Sequence, residues 1–203
     1  DAAERERALR LLIGGVDRTT RVVTQLLTLA RLEPDAQRVH RQPVDVAALA
    51  RETLAELTPL ALSRDQELTL EDERNGDRLL RGDAASLATL LQNLVGNALQ
   101  YTPAGGRIQV SLDTTAQGLQ LVVDDSGPGV PAELRPQLLE RFFRLGEGEG
   151  AGLGLAIVAR IAELHGAGLA LLDSPLGGLR VVVSFPAEAP ASPPAKLRLS
   201  NAR

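Results

Sequence analysis

An α+β fold is predicted: a two-layer α/β sandwich, its mixed sheet covered by helices on one face, preceded by one long bundle helix. Three observations carry this. Residues 1–33 hold a seam of apolar residues at alternating spacings of three and four. Segments with helical stripes then alternate with short strand-like segments. The second half contains two pairs of segments with period-two alternation, each pair joined by a turn.

Residues 1–33 read as one helix. Leu9, Leu12, Val16, Thr19, Val23, Leu26 and Ala30 form a heptad seam, and Ile13, Thr20 and Leu27 widen it to the stripe of a helix bundle. Pro34 ends it. So broad an apolar face needs a partner, either its own domain or the other half of a dimerising hairpin. The short polar linker at 34–43 favours the hairpin.

A second unit spans 44–187. "VDVAALARETLAELTPLALSRD" is a helix with Val46, Leu49, Thr53, Leu54 and Leu57 on one side. Short strands are predicted around "QELTLE" and "DRLLRGD". The next helix runs from Ala84 to Tyr101, its core face made by Leu87, Leu90, Leu91, Leu94, Val95, Ala98 and Leu99, and "YTPAGG" breaks it. "RIQVSLD" and "LQLVVDD" form one antiparallel pair, "LALLDSP" and "LRVVVSFP" another. Between the pairs lies a helix over Leu155–His165, with Leu155, Val158, Ile161 and Ala162 as its stripe. Residues 188–203, rich in Pro and Ala, have the composition of a disordered tail.

Composition removes several function classes. The 203 residues, 44% hydrophobic, suffice for one sizeable core without staples. With no cysteine there is no disulfide framework, thiolate metal site or cysteine nucleophile. His40 and His165 are too few for a histidine-rich metal site. A net charge of −4 without a basic block argues against nucleic acid. No run of 18 apolar residues or signal peptide points to membrane contact. The absence of any methionine suggests a piece of a longer protein.

Three local patterns carry chemistry. Asn93 and Asn97 lie one turn apart beside the apolar stripe of their helix, at the rim of a cleft. Their amide oxygens are hard, neutral ligands of the kind Mg²⁺ accepts beside phosphate oxygens; otherwise they are two solvent-facing polar residues. "DDSGPGV" ends a strand with two carboxylates and turns at Gly127 and Gly129. Asp125, at the strand end, can accept a hydrogen bond from an exocyclic amine, or be an ordinary turn acid. Finally, glycines at 146, 148, 150, 152 and 154 feed a helix N-terminus, whose free N–H groups and partial positive charge suit phosphate. The run matches neither the P-loop nor the dinucleotide fingerprint.

Together "NLVGNALQYTP", "DDSGPG", "RFFR" and "GAGLGLAIV" resemble the N, G1, F and G2 boxes of sensor histidine kinases of two-component systems. These share an ATPase superfamily with DNA gyrase and the heat-shock chaperones. The resemblance covers Val44 to Pro186, and residues 1–33 resemble the second helix of the family's dimerisation and phosphotransfer hairpin. It implies that Asn97 ligates the Mg²⁺ bridging the ATP phosphates, with Asn93 supporting it. Asp125 reads the adenine amine, Gly127 and Gly129 shape the floor under the base, and Tyr101 lines its side. Phe142 and Phe143 anchor a mobile lid, Gly150, Gly152 and Gly154 give its hinge and phosphate cradle, and Leu155 opens the helix beyond. Arg141 and Arg144 are alternative holders of phosphate charge. The glutamate that activates water in gyrase-like relatives is Asn93 here, and an amide cannot act as a general base. That favours phosphoryl transfer over hydrolysis.

Three departures stand beside the resemblance. The phosphoacceptor box is missing, so this chain is not expected to phosphorylate itself. Gln100 replaces a frequent lysine, and Leu179 stands where a threonine often follows the last glycines, behind a short lid. The implied function is γ-phosphate transfer from ATP to a hairpin histidine, then to a response-regulator aspartate. The implied setting is a homodimeric membrane receptor with this part in the cytoplasm of a bacterium. The alternatives are a nucleotide-sensing or dimerisation module without transfer, and a stand-alone ATPase.

Overall fold

A computed structural model describes residues 2–32, 41–72, 78–145 and 151–187. Pro34, His40, Gly146, Gly148, Gly150 and the 188–203 tail lie outside them. The elements are α1 (Ala2–Arg31), β1 (Gln42–Asp45), α2 (Val46–Ser63), β2 (Glu67–Glu71), β3 (Leu79–Gly82), α3 (Ala84–Tyr101), β4 (Arg107–Thr115), β5 (Gly118–Asp125), α4 (Gly154–Leu164), β6 (Gly168–Asp173) and β7 (Leu179–Pro186).

Five strands form one sheet in the order β2-β4-β5-β7-β6. The β2–β4 pair is parallel and the other three are antiparallel, which makes the sheet mixed as predicted. Parallel neighbours need a long crossover, and β3 with α3 supplies it. Helices α2, α3 and α4 cover one face, where Ile108, Val110, Leu112, Val183 and Phe185 meet Leu90, Leu91, Leu94, Val95 and Ile161 in a single core. The other face is mixed: Val122 and Val182 pair there, Gln109 donates to Glu71 at 2.9 Å, Gln120 to Ser184 at 3.3 Å, and Arg180 grips Asp124. Alternation is clearest in β4, where Ile108, Val110 and Leu112 are buried between polar residues.

Local chemistry sets the helix ends. Asp45 caps α2 by accepting from the Ala48 N–H at 3.0 Å, and Asp83 caps α3 by accepting from the Ser86 N–H at 2.8 Å. Thr102, which precedes Pro103, is extended (φ −78°, ψ 129°), so α3 stops there. The Leu99 carbonyl left over at that end accepts from Arg64 at 2.8 Å and Gln66 at 3.0 Å.

The sequence reading missed β1, which pairs with β3 apart from the main sheet. It starts at Gln42, two residues inside the expected linker. Only Val44 of its four residues is buried, and Pro43 and the cap Asp45 mask the strand signal. In α1 the described apolar seam residues Leu9, Val16, Val23 and Leu26 are exposed, as is Leu27 beside them; the side chains of Leu12 and Ile13 lie outside the description. The helix instead meets the sandwich through Leu29 and Leu32, off that seam.

His165, at the end of α4, is buried and ties that helix to β3. The Asp83 N–H donates to Nε2 at 3.2 Å, so Nδ1 carries the proton and donates to the Ile161 carbonyl at 2.8 Å. Its ring stands edge-on to Phe185, centroids 6.3 Å apart. His165→Ala should therefore cost about 2–4 kcal/mol, from the cavity plus the orphaned donor. Urea unfolding checks this; an unchanged midpoint would mean that the tie is dispensable.

Candidate functional site

A cavity opens between α3, the ends of β5 and β7, and the N-terminus of α4. Of the residues predicted from sequence, Asn97, Tyr101, Asp125, Gly129, Phe143, Arg144, Gly152, Gly154 and Leu155 line it. Asn93 does not: its side-chain amide donates to the Thr89 carbonyl at 2.8 Å, one turn back along α3. Gly127 stands behind the wall, bonded to Asp125, and Phe142 is exposed to solvent.

Asp125 is the most constrained member. Its residue is the last of β5, on the same face as Val123, while its neighbour Asp124 faces the opposite way. Asp124 is wholly buried and accepts two hydrogen bonds from Arg180, Nε at 2.9 Å and Nη2 at 2.8 Å. That bidentate pair pins β5 to β7 beside the site. The Asp125 Oδ1 accepts from the Gly127 N–H at 2.8 Å and the Leu179 N–H at 3.1 Å, and its carbonyl from the Gly178 N–H at 3.1 Å. A Cβ on Gly178 would overlap Oδ1, so only glycine lets β7 approach so closely. Both amides converge on one oxygen, and a ligand's donor can take the other.

Burial raises the Asp125 pKa above the ordinary carboxylate value. The Leu179 and Gly127 amides pull it back, and the charge of Asp124 adds to the rise. An acid whose pKa is higher folded than unfolded binds its proton more tightly in the native state. Its contribution to stability is full below the unfolded pKa and is lost as pH rises through the folded one.

The opposite wall belongs to α3 and α4. A Cβ on Gly154 would lie 2.8 Å from the Asn97 Oδ1 and 2.9 Å from its Nδ2. Glycine at 154 therefore lets the first turn of α4 sit against the Asn97 amide. Leu153, at the N-cap, is buried and offers no side-chain acceptor, so the N-cap residue leaves the first N–H groups of α4 uncapped. Phe142 holds a left-handed φ of 67°, unusual for a bulky residue, and its N–H donates to the Gly152 carbonyl at 2.9 Å. That bond joins the two ends of the glycine-rich segment.

The reading from sequence missed the apolar walls. Val123 and Val181 pair across β5 and β7 and share the Asp125 face; period-two counting back from Asp125 would have found Val123. Leu94 and Ala98 come from the α3 stripe, assigned only to the core. Gln25, from α1, had no signal at all.

Residues 82–189 match the family model described as histidine kinase-, DNA gyrase B-, and HSP90-like ATPase. The chain belongs to this family. The chain is 40% identical over 202 residues to the sensor protein kinase PmrB of Pseudomonas aeruginosa, covering 97% of this chain and 42% of that protein. It also resembles the solved mycobacterial sensor histidine kinase MprB, with 30% identity, TM-score 0.63, and coverage of 72% of this chain and 97% of that one. Full-length ShkA in complex with AMPPNP gives 28% identity and a TM-score of 0.74, covering 93% of this chain and 40% of that one. The chain spans less than half the length of the curated relatives it matches. Among the described residues, no helix is long and apolar enough to cross a membrane.

Replacing Asp125 by Asn keeps an oxygen for the two amides and removes the buried charge. Asp125→Asn should raise the melting temperature of the ligand-free domain at pH 7. The gain should shrink as pH falls through the raised pKa, where Asp125 is itself neutral. Thermal unfolding of both proteins between about pH 4 and about pH 8, from the ordinary carboxylate pKa upward, checks this. A variant less stable at neutral pH would contradict it.

Proposed function

We propose that this chain is the ATP-binding catalytic part of a sensor histidine kinase. It transfers the γ-phosphoryl group of ATP to a ring nitrogen of a histidine on a hairpin helix, releasing ADP; a response-regulator aspartate then takes the phosphoryl group. The observation that carries the reading is the meeting of Asp125, Asn97 and the uncapped N-terminus of α4 around one cavity. Asp125 would accept the adenine amine, with Tyr101 beside the base and Gly127 and Gly129 shaping the turn beneath it. The first turn of α4, with Gly152, Gly154 and Leu155, would take the phosphates. Phe142 and Phe143 would anchor the lid, Gly150 would belong to its hinge, and Arg144 in the wall would face phosphate charge.

Mg²⁺ fits this donor set. Asn97 offers a neutral amide oxygen against the helix terminus. Among the described residues no three His, Cys, Asp or Glu side chains gather to cage a metal. A cation here would be held by Asn97 together with phosphate oxygens and water, and would neutralise phosphate charge; Asn93, whose amide nitrogen is turned to the Thr89 carbonyl, would support it through its amide oxygen. With an amide at 93 no general base stands there to activate water, which supports transfer rather than the stand-alone ATPase reading.

The chain would divide into a hairpin helix at 1–33, a linker at 34–43, the catalytic unit at 44–187 and a tail at 188–203. The exposed seam of α1 supports a homodimer formed through that helix. The whole protein would be a bacterial inner-membrane receptor with this part cytoplasmic, without contact to nucleic acid. A second reading, a nucleotide-sensing or dimerisation module without transfer, draws on Gln100, a neutral residue in the cavity wall where a cation is frequent in the family.

Two measurements test the proposal. ATP should bind saturably and more tightly with Mg²⁺, and Asn97→Ala should lower the Mg²⁺-dependent affinity about tenfold or more. A separate histidine-bearing hairpin from a related kinase should become labelled by γ-labelled ATP. Binding without labelling would favour the module.

A further inference from the structure

One wall of the cavity comes from outside the sandwich. Gln25 belongs to α1, outside the sandwich, yet lines the cavity with Asn97, Gly154 and Leu155. Its amide oxygen Oε1 is buried and, among the described residues, has no hydrogen-bond partner. A buried acceptor is costly to leave unpaired, and a small turn of this side chain, which already lines the cavity, would bring the amide to a ligand there.

The docking of α1 sets where Gln25 falls. Leu29 is buried against the core, and the Arg160 Nε of α4 donates to the Leu32 carbonyl at 2.9 Å while its Nη1 pairs with Glu163 at 2.6 Å. Gln25 lies one turn before Leu29 and shares the cavity wall with Asn97, Gly154 and Leu155, at the N-terminus of α4.

We infer that Gln25 is a nucleotide-contacting residue supplied by the bundle helix. Its side-chain amide meets the phosphate end of the bound nucleotide, Nε2 donating to a phosphate oxygen and Oε1 accepting from water on the accompanying cation. The inference rests on the ATP reading and extends it, because affinity for the triphosphate then depends on how α1 is docked. Linkage makes the dependence reciprocal: a bound triphosphate holds α1 against α4.

The test is a calorimetric titration of the full chain, Gln25→Ala and Gln25→Glu with Mg-ATP, Mg-ADP and adenosine, with melting temperatures measured alongside. Truncation at 25 should weaken Mg-ATP about tenfold, the strength of a hydrogen bond to a charged group. The isosteric glutamate should weaken it further by repelling phosphate, and weaken Mg-ADP less. Adenosine affinity should stay unchanged in both, and the melting curves should show that both are folded. Equal Mg-ATP affinities in all three chains would overturn the inference and leave the ATP reading intact. So would equal losses for Mg-ATP and adenosine, which mean that Gln25 only packs the wall. An unaltered chain that does not bind Mg-ATP sinks the ATP reading and this inference with it.

Discussion

A carboxylate held at the end of a buried strand must be kept in place without losing its ability to accept a hydrogen bond. Burial alone would drive Asp125 toward its neutral form. The backbone amides of Gly127 and Leu179 offset part of that cost by converging on one oxygen, at 2.8 and 3.1 Å. Their convergence depends on β7 starting within contact distance of the carboxylate, which the missing Cβ of Gly178 permits. It depends also on the β5–β7 register, which sets Asp124 opposite Arg180 on the far side of the sheet. The two adjacent acids therefore have different tasks: Asp124, paired and wholly buried, secures the strands, and Asp125 faces the cavity.

The other half of the site is arranged by helix packing. α3 buries its apolar stripe against the sheet, and this turns Asn97 to the cavity edge. α4 brings its uncapped first turn against that amide because residue 154 has no side chain to keep it away. The segment between Phe142 and Gly152 is closed by one backbone hydrogen bond, with Phe142 in a conformation costly for a bulky residue. Asp125, by contrast, rests on paired strands.

How much of this was legible from sequence follows from what each signal encodes. The bounds of α3, Ala84 and Tyr101, were readable because a seven-residue apolar stripe lies between a capping Asp83 and the Thr102–Pro103 stop. Both hairpin pairs were readable from alternation. β1 was not, because a four-residue strand with one buried side chain and a proline has no period to count. At the site, Asn97, Asp125 and Gly154 stood out through residue type and spacing. Asn93 shared that spacing with Asn97, yet its amide turns back to Thr89, a rotamer choice that sequence does not encode. Gln25 was invisible because its place in the cavity comes from tertiary docking of α1, while the heptad pattern of that helix reports its open seam.

The central claim is that the cavity reads a base through the free oxygen of Asp125, and one atom pair on the ligand tests it most directly. Inosine triphosphate differs from ATP in bearing a carbonyl oxygen where adenine bears its exocyclic amine. Calorimetric titration of the unaltered chain with each, in the presence of Mg²⁺, should give saturable binding of ATP and an affinity for inosine triphosphate weaker by about tenfold or more, since an acceptor would then face a carboxylate. Equal affinities would contradict the account, because Asp125 would then be buried for the fold alone.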